Sequence, residues 1–143
     1  MNLHVIICGH GKFASGLQGA LHLLTKIPSN WSFIDFKEGM SDEQLKKQIS
    51  DIVSINPNDQ YLFFTDLLGG TPFKVTSSIA FKKGNMAVVT GCNLASLLEI
   101  MYASYDSIET LADAVVNNSK KATVYFKLED DLEENVDQKS DGI

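Results

Sequence analysis

The 143-residue chain has no arginine; all twelve of its bases are lysines. A bidentate guanidinium clamp on a carboxylate or phosphate is therefore not available from within it. Basic charge is also outweighed. Eighteen acids leave a formal net charge of −6, which argues against a nucleic-acid surface, since such a surface is basic. Cysteine is nearly absent. Cys8 and Cys92 stand far apart with no C-x-x-C spacing, so neither a disulfide framework nor a zinc site is expected, and both read as small buried hydrophobes in a reducing cytoplasm. No apolar run approaches the ~20 residues that a membrane helix needs. The N-terminus, MNLHVIICGHGK, has no basic leader and no small-residue cleavage site, and does not read as a signal peptide. With three histidines in all, and only one of them well presented, a multi-histidine metal site has little support.

What is present is ordinary in amount and uneven in distribution. Apolar residues make up 44% and charged residues 21%, the proportions of a globular protein. The length suits one domain. The acidity sits at one end. Glu129, Asp130, Asp131, Glu133, Glu134, Asp137 and Asp141 face a single base, Lys139, while residues 1–127 are balanced. This predicts a domain over 1–127 and a solvated acidic tail over 128–143. There is no internal repeat.

The hydrophobic pattern alternates between strand and helix. Leu3 to Cys8 is a short branched apolar run, a buried strand broken by Gly9-His10-Gly11. A helical stripe of Leu17, Ala20, Leu21 and Leu24 follows. Trp31 to Phe36 reads as a second strand. Ser41, with Gln44 three residues on, is a capping box for a helix carrying Leu45, Ile49, Ile52 and Val53, which Pro57 stops. Tyr61 to Phe64 is a third strand, ending in Thr65-Asp66 and the loop LLGGTP. Thr71-Pro72 reads as an N-cap and first helical residue, in a helix running to about Lys82. Met86 to Val89 is a fourth strand, and Gly91-Cys92-Asn93 the turn after it. Leu94, Leu97, Leu98 and Met101 form the inner face of the next helix. Ser107 caps another, with Ile108, Leu111, Ala112, Val115 and Val116 as its stripe. Thr123 to Phe126 reads as a fifth strand. This order implies an α/β fold, a doubly wound parallel sheet with helices on both faces.

In such sheets ligands bind beyond the carboxyl ends of the strands. Gly9-His10-Gly11, Asp66 to Thr71 and Gly91 to Asn93 all fall on that edge. His10, between two glycines after a buried strand, is presented there as a base, metal ligand or phosphoacceptor. His4, inside the first strand, and His22, on a helix, read as structural. Asp66 can hold one imidazole nitrogen, which fixes the tautomer and leaves the other nitrogen nucleophilic. Gly69, Gly70 and Thr71 precede a helix whose N-terminus favours an anion. Lys12 and Lys74 are possible helpers. A turn histidine, a capping aspartate and a plain strand-to-helix turn are the structural alternatives.

Two other motifs compete. Gly9 to Ala14 matches G-x-G-x-x-A, with Asp35 or Glu38 as the ribose acid, and would make the chain a dinucleotide-binding module. That reading leaves the Asp66–Pro72 segment unexplained. The P-loop fails, because its first glycine would fall on Ile6. G-x-S-x-G is absent.

Taken together, HVIICGHGKFASGL, IDF, FTDLLGGTPF and GCNLASLLE resemble the IIA component of the mannose-type sugar phosphotransferase system (PTS), in order and spacing, over most of residues 3–126. The resemblance implies a phosphotransferase in which His10 carries the phosphoryl group, Asp66 supports it, and Thr71 is the loop hydroxyl. It implies the phosphocarrier HPr as donor, a IIB component as acceptor, and IIC/IID membrane components served indirectly, with no cofactor. It further implies a homodimer exchanging its terminal strand, here Thr123 to Phe126. The sequence departs from the family at Leu94-Ala95-Ser96, where Ile-Pro-Met is common. A related domain serving dihydroxyacetone kinase also has a histidine after its first strand, but a different segment in place of D-L-L-G-G-T-P-F.

Overall fold

The computed structural model describes residues 2–91 and 93–128. Cys92 and most of the acidic tail lie outside the described residues. Four strands, β1 (Leu3–His10), β2 (Trp31–Phe36), β3 (Gln60–Thr65) and β4 (Met86–Thr90), alternate with α1 (Phe13–Leu24), α2 (Asp42–Ile55) and α3 (Thr71–Ala80). Two helices, α4 (Leu94–Ile100) and α5 (Ile108–Ala122), follow β4. All strand pairs are parallel, in the order β2-β1-β3-β4. The α/β reading with helices on both faces is thus correct.

The strands are apolar on both sides because both faces are covered. Val5, Ile7, Leu62, Phe64 and Val89 point to one face and pack with Ala14 and Leu21 of α1, Leu97 and Ile100 of α4, and Leu111 and Val115 of α5. Ile6, Cys8, Tyr61 and Phe63 point to the other and pack with Leu45, Ile49 and Val53 of α2 and Val75 of α3. The Ser41–Gln44 capping box forms as expected, with both reciprocal bonds present. Ser107 likewise caps α5 by accepting from the Thr110 N–H.

Four expectations need correction. β1 does not end at Cys8. It continues through Gly9 and His10 because β2 still runs beside it, pairing Gly9 with Asp35 and His10 with Phe36. Thr71 is not the N-cap of α3; Gly70 is, in an extended conformation, with Pro72 in the first turn. Leu24 ends α1 and is exposed rather than part of the buried stripe. Thr123 to Phe126 forms no strand among the described residues. A strand needs a neighbour, and in the single chain this segment runs off α5 with Val124, Tyr125 and Phe126 exposed.

Candidate active site

The strand order decides where a ligand can sit. The chain leaves β1 for β2 on one side, then crosses to β3 on the other. The crevice of a doubly wound sheet opens where the connections diverge in this way, here above the ends of β1 and β3. His10 is the last residue of β1, and Asp66 follows the last residue of β3.

The two side chains meet there. One carboxylate oxygen of Asp66, Oδ2, lies 2.8 Å from His10 Nδ1 and accepts the His10 backbone N–H at 2.9 Å. The other, Oδ1, is buried and accepts no hydrogen bond among the described residues. Asp66 is 14% exposed and the His10 side chain 45%. The acid is therefore held below the surface while the imidazole reaches out of it. Phe36 packs edge-on to the ring at 5.8 Å between centroids. With Nδ1 occupied by the carboxylate, Nε2 is the nitrogen available for chemistry.

The loop after Asp66 closes as a β-turn. The Gly70 N–H donates to the Leu67 carbonyl at 3.1 Å, and Gly69 sits at φ +80°, the third-position geometry of a type II turn. The turn leaves Leu67 and Leu68 exposed and delivers the chain into α3 beside His10. The first-turn N–H groups of Thr71 and Phe73 have no carbonyl below them in the helix. Pro72 has no N–H to contribute. The Gly70 N–H, spent on the turn, is not among the outward donors. Because Gly70 fills the N-cap position, the Thr71 hydroxyl is free of capping duty. Lys12 and Lys74 are exposed near the two loops.

The fields of the carboxylates are felt on Cys8, two residues before His10 on the α2/α3 face. Burial first, then the charges of Asp66 and Asp35, push its thiol up to about 12. It stays a neutral hydrophobe at physiological pH and is not a nucleophile.

The dinucleotide reading finds no support. Asp35 does not face a ribose site; its carboxylate accepts the Ser15 N–H at 2.9 Å. It thereby caps the N-terminus of α1, where a pyrophosphate would have to lie, and Lys12 at the N-cap supplies no side-chain cap of its own. Sequence reasoning could not assign Asp35 this role, since only the parallel pairing of β1 with β2 brings it to α1. A second His–Asp pair is likewise formed by the fold and not visible in the sequence. His4 Nε2 lies 2.8 Å from Asp59 Oδ2, and the His4 ring stacks on Tyr61 at 4.7 Å. The β1–β3 seam is thus pinned by one such pair at each end. Among the described residues no group of three His, Cys, Asp or Glu side chains is gathered as a metal site, and no helix is long and apolar enough to cross a membrane.

Comparison with known proteins gives a consistent picture. The family model described as "PTS system fructose IIA component" (EIIA-man) matches residues 4–120. The chain is 28% identical over 100 residues to the PTS system fructose-specific EIIA component of Bacillus subtilis, covering 69% of this chain and 68% of that one. It is 30% identical over 100 residues to the sorbose-specific EIIA component of Lacticaseibacillus casei, covering 68% and 71%. The crystal structure of phosphotransferase system component EIIA from Streptococcus agalactiae superposes with a TM-score of 0.80 at 30% identity, over 87% of this chain and 98% of that one. A mannose/sorbose-specific IIA subunit from Enterococcus faecalis shares the fold, with a TM-score of 0.81 at 21% identity over 91% and 98%.

Proposed function

The chain belongs to the PTS fructose IIA family, the mannose-type IIA components of sugar phosphotransferase systems, and from that premise we propose that it is a phosphohistidine carrier working through His10. The observation that carries the reading is the 2.8 Å contact between His10 Nδ1 and a largely buried Asp66 carboxylate, at the sheet's switch point. In the resting carrier Nδ1–H donates to Asp66 and Nε2 holds the free lone pair. Nε2 attacks the phosphorus of a phosphohistidine on HPr, in line with the breaking bond. The new N–P bond forms as the donor's N–P bond breaks, and its electron pair returns to the donor imidazole. The His10 ring gains positive character, which the Asp66 charge stabilises. The equatorial phosphoryl oxygens meet the N-terminal end of α3, where the Thr71 hydroxyl, the first-turn N–H groups and the backbone at Gly69 replace the missing arginine, the Gly70 N–H being held by Leu67. The same step then runs toward a histidine of a IIB component, which serves the IIC/IID membrane components. Both ends of the relay are phosphohistidines, so transfer is nearly balanced and needs neither metal nor nucleotide.

On this reading the protein works in the cytoplasm as a homodimer. The exposed Val124, Tyr125 and Phe126 after α5 and the edge strand β4 are what strand exchange between two copies would cover. The sugar is selected by the membrane components, and relatives named for fructose and for sorbose resemble this chain in sequence to a similar degree. The test is intact-mass spectrometry after incubation with phosphoenolpyruvate, enzyme I and HPr. Wild type should gain about 80 Da in an acid-labile form, the signature of a nucleophilic histidine, and His10→Ala should gain nothing. Full labelling of His10→Ala would overturn the assignment.

A further inference from the structure

Gly70 has a conformation that any residue can adopt, φ −74° and ψ 168°, so backbone geometry does not call for glycine there. Its surroundings do. A Cβ built on Gly70 would lie 2.8 Å from His10 Cε1 and 3.6 Å from Nε2, well inside ordinary van der Waals contact for the first of these. The second-nearest atom is the Leu67 carbonyl oxygen at 3.3 Å, which a shift of a few tenths of an ångström relieves.

We propose that Gly70 is a positioning residue for the phosphoryl-transfer reaction: its bare Cα is the wall against which the His10 ring rests. The imidazole is then fixed on two sides. Asp66 holds Nδ1, Gly70 lies against the Cε1 edge, and Nε2 is left beside the start of α3. The role is steric. The Gly70 N–H is already spent on Leu67, so the residue acts through the side chain it lacks rather than through a hydrogen bond to the phosphoryl group.

A methyl group at position 70 meets the far end of a half-exposed side chain, so the ring yields and the backbone does not. The imidazole swings off Gly70, and its bond to Asp66 is stretched or lost. A displacement of this order, about 1 Å, is enough to slow a positioned reaction by about 100-fold.

The inference rests on the His10 carrier reading, and the experiment separates the two. Wild type, Gly70→Ala, His10→Ala and the double variant are compared. Phosphoryl uptake is followed from phospho-HPr and from phosphoramidate, a small donor that needs no protein docking. Labelling of wild type on His10 checks the carrier reading itself. Gly70→Ala should take up phosphate at least tenfold more slowly from both donors. It should also lose the hydrogen-bonded Nδ1 proton of His10 in the imidazole NMR spectrum, a signal that a backbone defect elsewhere would leave in place. The melting temperatures supply the second arm. Gly70→Ala should lower Tm in the wild-type background and change it little in the His10→Ala background, where the obstructing ring is gone. Uptake within twofold of wild type, or an equal Tm loss in both backgrounds, would overturn the proposal. That includes the case in which Gly70→Ala folds poorly, because the His10→Ala background then decides whether the ring is the cause.

Discussion

Replacing Asp66 by asparagine tests the central arrangement most directly. The carboxylate makes two bonds through a single oxygen: to the His10 backbone N–H at 2.9 Å and to Nδ1 at 2.8 Å. An asparagine keeps the shape and can still accept both with its carbonyl oxygen. It removes the charge. Hydrogen bonds to charged groups contribute about 1.5–3 kcal/mol and neutral ones about 0.5–1.5. The bond to the backbone changes little during the reaction. The bond to Nδ1–H strengthens as the ring becomes cationic, so its loss falls on the transition state. At 14% side-chain exposure solvent replaces little of the missing charge, and a deficit of about 1–2.5 kcal/mol is expected, an about 5- to 70-fold slower transfer. The amide NH2 would also take the place of Oδ1, which has no hydrogen-bond partner among the described residues. Stranding those donors costs about 1–3 kcal/mol of stability, a fall of several degrees in Tm. The assay is rapid-quench uptake of labelled phosphoryl from phospho-HPr and from phosphoramidate, beside a thermal melt. A folded Asp66→Asn that transfers within threefold of wild type from both donors would refute the electrostatic role. A loss seen only with phospho-HPr would move Asp66 from chemistry to docking.

Three further outcomes are expected. Asp35→Ala removes the Ser15 cap from α1 and should cost about 1 kcal/mol of stability, read by denaturant titration; calorimetry should detect no NAD binding in either form. The Asp59 carboxyl is held below its ordinary range, chiefly by the hydrogen bond from His4. A depressed folded-state pKa contributes stability that is fully present above the unfolded value of about 4 and is lost as pH falls through the folded one. Asp59→Asn should therefore flatten the acid limb of the stability curve below about pH 4, leaving phosphoryl transfer at neutral pH unchanged; an identical acid limb would exclude the pair as its source. On the proposed strand exchange, wild type should sediment as a dimer and Tyr125→Ser with Phe126→Ser as a monomer; a monomeric wild type would refute the dimer, and an unchanged dimer in the variant would place the interface elsewhere.

Much of this was legible in one dimension because it depends on local chemistry. Branched apolar runs make buried strands whatever surrounds them. Ser41 and Ser107 cap their helices with atoms three residues away. The G-H-G run and the D-L-L-G-G-T-P-F segment declare an edge histidine, an acid and a helix start. Residues 123–126 failed as a strand for the opposite reason: their β-forming composition is local, but a ladder needs a second strand. Tertiary structure alone decided the rest. The order β2-β1-β3-β4 sets His10 and Asp66 side by side across 56 residues of chain. The β1–β2 pairing turns Asp35 from a suspected ribose ligand into a helix cap. The β1–β3 register brings His4 onto Tyr61 and Asp59. The reason Gly70 is glycine lies in a ring sixty residues earlier. Composition and periodicity determine which segments are buried and which way they turn; which two carboxyl ends become neighbours depends on how the crossovers pack, and only there do an imidazole and a carboxylate become a site.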